Sequence, residues 1–92
     1  MTDIGQLADS LEEEFSGALG QRNIAALAKC AGVLASHESG GYAWLELFER
    51  YLHKEYPGKL PEGAAELRPF LSELIKHPDF PKDLKIYVAA SD

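Results

Sequence analysis

Apolar residues recur at intervals of three and four along most of this 92-residue chain, and glycines and prolines cut the pattern into short lengths. That is the period of an α-helix with one face turned inward. The breaks fall at Gly17 and Gly20, at Gly40 and Gly41, at Pro57 with Gly58, and at Pro61, Pro69, Pro78 and Pro81. No segment between them repeats another, and none is of low complexity. The pattern predicts an all-α fold: one domain over residues 1–92, with four to five short helices packed as an irregular bundle. A chain of this size buries only about 60–65% of the surface that its unfolded form exposes, so it builds one modest core. Cys30 is the single cysteine, which leaves packing alone to hold that core together.

The first segment carries Ile4, Leu7, Ala8, Leu11, Phe15, Ala18 and Leu19 on one side. Thr2 or Asp3 is placed to cap its start, and Gly20 stands at its end. The second, "NIAALAKCAGVLAS", is capped by Asn23, and Lys29 is its one charge between Ile24 and Ala35. A helix apolar nearly all round is a buried one. Its small residues also admit close neighbours, so the expectation is a central helix, or one at a homodimer contact.

The third segment, "GGYAWLELFERYLHKEYPGK", holds five of the nine aromatic side chains. At 100° per residue, Tyr56, Leu52, Phe48, Trp44, Tyr51 and Leu47 fill an arc of about 180°, whereas a core-facing stripe needs only about 100°. Leu45, Phe48 and Leu52 are therefore assigned to the core, and Trp44, Leu47 and Tyr51 to a surplus edge. Trp44 has two roles open to it, core indole or partner anchor. On the polar side Glu46 with Arg50, and Glu49 with His53, sit one turn apart with the acid first.

Pro69 interrupts the fourth segment, Pro61 to His77. The expectation there is a short turn at Glu62–Arg68 and then a helix from Pro69 to Lys76 that buries Phe70, Leu71, Leu74 and Ile75. In the tail, Leu84, Tyr87 and Val88 fit a helix, while Leu84, Ile86 and Val88 alternate as in a strand. The lone strand would need a partner chain, so a helix is preferred.

The net charge of −6 sits unevenly. Residues 1–21 contain Asp3, Asp9, Glu12, Glu13 and Glu14 with no Lys or Arg; the other 71 residues hold ten acids against nine bases. Such a balance disfavours nucleic acid, which is bound mainly through Lys and Arg, and suits a basic protein partner. "LAKCAGV", Leu27 to Val33, resembles the Leu-Ala…Gly-Val opening of a helix-turn-helix, which would imply a turn at Gly32. The stretch that would read bases, "ASHESGG", contains no Lys or Arg, and the resemblance ends there.

Enzymatic signatures are weak. Glu49 and His53 have the spacing to share a metal but lack a third ligand, so no metal and no cofactor is expected. Cys30 lies in an apolar helix where burial leaves a thiol inert. Ser36 and His37 are helical neighbours that point about 100° apart. Gly40 and Gly41 read as a helix break. No run approaches the ~18 apolar residues of a membrane span, and the chain opens without a basic leader, so the reading is a cytoplasmic protein off the membrane.

These observations point to a non-catalytic, acidic protein-binding module of the inhibitor, immunity-protein, antitoxin or adaptor kind, acting on a basic partner. Its contact residues are expected to be Asp9, Glu12 and Glu13 of the first helix with Trp44, Leu47 and Tyr51 of the third. The alternative is a self-associating subunit, a homodimer through the Ala-rich second helix and the aromatic third.

Overall fold

The computed structural model describes residues 3–90. Its elements are α1 (Ile4–Gly20), α2 (Ile24–Ala35), α3 (Gly40–Glu55), α4 (Leu60–Leu74), a 3₁₀ turn (Lys82–Leu84) and α5 (Lys85–Ala90). The fold is all-α, and no strand occurs among the described residues. The radius of gyration is 12.0 Å, about the 12 Å of a compact chain this long.

The helix starts follow their caps unevenly. Asn23 Oδ1 accepts from the Ala26 N–H at 3.1 Å and opens α2. Asp3 occupies the α1 cap position but makes no side-chain cap bond; Thr2 lies outside the described residues. At the other end of α1 the left-handed residue is Arg22, with φ 55, and not Gly20. Its Nη1 donates to the Leu19 carbonyl at 2.6 Å, and the Asn23 N–H reaches back to the Ala18 carbonyl at 2.8 Å. These bonds tie down a backbone conformation that is unusual for a side-chain-bearing residue.

The hub of the bundle is α3, which packs on α1, α2, α4, α5 and the 3₁₀ turn. This corrects the expectation of a central α2. Leu27, Ala28, Cys30, Ala31 and Leu34 of α2 are buried, but Ala25, Lys29, Gly32 and Val33 face outward. Small residues have little apolar area to hide, so a mostly apolar helix can sit at the surface at low cost. Gly32 lies within α2, not in a turn, so the likeness to a helix-turn-helix has no structural counterpart.

The aromatic arc of α3 is buried on both flanks, which overturns the division into core row and surplus edge. Trp44 and Leu47 are 0% and 1% exposed and Tyr51 is 5% exposed, alongside Phe48 and Leu52. Leu45, assigned to the core, is only half-buried. A helix with neighbours on several sides needs a wide apolar face, and the centre of that face falls on Trp44. Its ring meets Phe15 edge-on at 4.9 Å and Phe80 at 6.0 Å between centroids.

Gly40 and Gly41 do more than break a helix. They begin α3 where it passes close to other chain: a Cβ on Gly40 would overlap the Leu34 carbonyl, and one on Gly41 would overlap the Tyr87 ring. In α4 the expected break at Pro69 is absent, and one helix runs through it. Pro69 faces solvent, while Leu67, Leu71 and Leu74 are buried on either side of it. Packing along one unbroken face offsets the lost hydrogen bond. Phe70 and Ile75, expected in the core, are half-buried. The tail is helical: Leu84 and Val88 are buried, whereas Ile86 is 71% exposed.

Candidate partner-binding face

Asp9, Glu12, Glu13 and Ser16 fall at i, i+3, i+4 and i+7, so α1 presents them on one face. That face and the end of α3 form the walls of an open groove of about 600 Å³. Asp9, Glu12, Glu13, Ser16 and Gly17 line it from α1, and Tyr51, Lys54 and Glu55 from α3. Four of the six residues proposed from sequence therefore meet in one place: Asp9, Glu12, Glu13 and Tyr51. Trp44 and Leu47 do not; they are in the core.

Arg50 holds the two walls together. Its Nη1 donates to Asp9 Oδ1 at 2.7 Å and Glu12 Oε1 at 2.9 Å, and its Nε to Glu46 Oε2 at 2.9 Å. The hydrogen bonds that it donates to Asp9, Glu46 and Glu12 hold the guanidinium well above its ordinary range, and desolvation opposes them. The Glu46 pair was legible from its one-turn spacing; the reach across to α1 was not, because nothing in the sequence places residues 9 and 50 side by side.

The three consecutive glutamates of α1 go to three places. Glu12 joins Arg50, Glu13 faces the groove without an ion pair among the described residues, and Glu14 turns to the opposite flank. There Cys30 Sγ lies 4.0 Å from Glu14 Oε2. Burial pushes the Cys30 thiol up, the Glu14 carboxylate pushes it further, and Lys29 only partly opposes them. The thiol is thus protonated and weakly nucleophilic at neutral pH.

The other chemical candidates stay apart. His53 Nε2 and Glu49 Oε1 are 3.5 Å from each other on an exposed face. Ser36 Oγ donates to the Val33 carbonyl at 2.6 Å. Among the described residues no group of three or more His, Cys, Asp or Glu side chains is arranged to hold a metal ion, and no helix is long and apolar enough to cross a membrane.

Exposed apolar groups lie outside the six residues expected at the contact. Tyr42 is 58% exposed and stacks edge-on against Tyr87 at 5.6 Å; Val33 is 44% exposed. The signal for Tyr42 was available: it lies outside the α3 apolar arc at 100° per residue. The chain matches no protein-family model, no curated protein and no solved structure.

Proposed function

We propose that this chain is a non-catalytic protein-binding module of the inhibitor, immunity-protein, antitoxin or adaptor kind, and that its α1–α3 groove receives a basic protein. The observation that carries the reading is the charge of that groove. Asp9, Glu12, Glu13 and Glu55 line it against Lys54 alone, with Arg50 engaged behind Asp9 and Glu12. Carboxylates concentrated in a concave site steer a cationic partner over a Debye length of about 8–10 Å and set its orientation. The Arg50 bridges fix part of the acidic wall before binding, so less side-chain freedom is lost on contact.

The burial of Trp44 and Leu47 moves the proposed contact away from an aromatic anchor on this chain. Tyr51 contributes only the small part of its ring that reaches the groove. Long basic side chains of the partner would enter between α1 and α3 instead. The non-catalytic part of the reading draws support from the protonated Cys30 and from the engagement of Ser36 with its own helix.

Affinity capture from source-organism lysate at low and high salt tests the proposal. A basic protein retained at low salt, released at high salt and lost with the double variant Glu13→Lys/Glu55→Lys is the expected result. Retention that ignores both salt and the charge reversal contradicts it.

A further inference from the structure

A groove between α1 and α2 differs in character from the acidic one. It has a volume of about 420 Å³ and a mainly apolar lining, in which Ala18, Ala26, Cys30 and Val33 are joined by the polar Gln21 and Asn23. One wall carries Glu14, from α1, and the other carries Lys29, from α2. Lys29 makes no hydrogen bond or ion pair among the described residues. Among the described residues the hydrogen-bond partner of Glu14 is the Cys30 thiol, at the long distance of 4.0 Å. An apolar strip is thus bordered by two opposite charges that do not pair with each other.

We infer that this groove is the contact of a two-fold homodimer, in which Lys29 of each copy pairs with Glu14 of the other. In an isologous interface one patch faces itself, so whatever residue i meets across the axis, its partner meets in return. A patch with one sign of charge repels its own copy. A patch with an acid on one wall, a base on the other and apolar side chains between them is complementary to itself. Pairing both charges twice orients the copies, and closing the strip removes the exposed Val33 from water.

The outer face of α2 permits the approach. Ala25 and Gly32 are exposed there, and a Cβ built on Gly32 meets nothing within 4 Å, so a second helix can come close. The acidic groove shares no lining residue with this one. At 100° per residue Glu14 and Ala18 lie roughly 170° round α1 from the face of Asp9, Glu12, Glu13 and Ser16. A dimer would carry two open acidic grooves. The inference extends the proposed function and does not depend on it.

Sedimentation equilibrium of the full chain over a roughly hundredfold concentration range tests it, with circular dichroism to confirm that each variant folds. The expected result is a reversible monomer–dimer equilibrium. Glu14→Lys and Lys29→Glu should each weaken it by about tenfold or more, and the double reversal should restore it, because the pair is re-formed with its signs exchanged. A monomer at every concentration overturns the inference. So does a dimer that either single reversal leaves unchanged, or one that the double reversal fails to restore.

Discussion

Trp44 is the largest side chain in the core, and it stands there at a local cost. It is 0% exposed, yet its indole N–H finds no acceptor among the described residues. An unmet donor of this kind costs about 1–3 kcal/mol, while the ring it belongs to anchors Phe15 on one side and Phe80 on the other. Apolar contact outweighs the polar penalty. Replacing Trp44 with Ala should therefore destabilise the fold by about 3–5 kcal/mol in urea denaturation. Trp44→Phe keeps much of the ring and removes the unmet donor, so it should cost clearly less. An Ala variant as stable as the parent would contradict the burial of this ring. At this scale the structure departs most from the sequence-based expectation. Spacing picks out the large members of the α3 face, Trp44, Leu47, Phe48, Tyr51 and Leu52, but not the buried Ala43, and periodicity gives angles and not neighbours. It could not tell that packing partners lie on both flanks, or that Arg50 would cross to Asp9 and Glu12.

At the scale of the elements, the helices whose apolar faces are interrupted only by solvent-facing residues were the legible ones. α1 buries Leu7, Ala8, Leu11, Phe15, Ala18 and Leu19 as its spacing predicts, and the tail is helical because Leu84 and Val88, one turn apart, go inward while Ile86 stays out. α4 departs from the expected break because proline is a breaker only in local terms. The buried row Leu67, Leu71 and Leu74 runs past Pro69, and tertiary packing decides the outcome where local propensity and long-range contact disagree. The helix accordingly retains a defect that substitution can repair. Pro69→Ala restores a backbone N–H for the Ala65 carbonyl one turn back. It should stabilise the protein by about 1–2 kcal/mol, since the helical gain of about 3 kcal/mol is partly offset by a more flexible unfolded chain. Thermal or urea unfolding measures this directly, and a loss of stability would mean that the proline is bound into contacts that the helix face does not show.

For the whole molecule, charge and apolar surface are sorted around α1. One flank joins Asp9, Glu12 and Glu13 to the end of α3, the other sets Glu14 opposite Lys29 over an apolar strip, and the inward face holds the core. The acidity of this helix was plain in the sequence, and its i, i+3, i+4 spacing placed three carboxylates together. What the sequence lacked was the opposite wall, because Tyr51, Lys54 and Glu55 come from a helix some forty residues away. The proposal that this groove receives a basic protein is tested most directly by amide chemical-shift mapping on the labelled chain as the captured partner is added. The shifts should concentrate at Asp9–Gly17 and Tyr51–Glu55 and shrink as salt is raised. Shifts that centre instead on Tyr42, Ile86 and Tyr87, with the α1 amides unmoved, would contradict it.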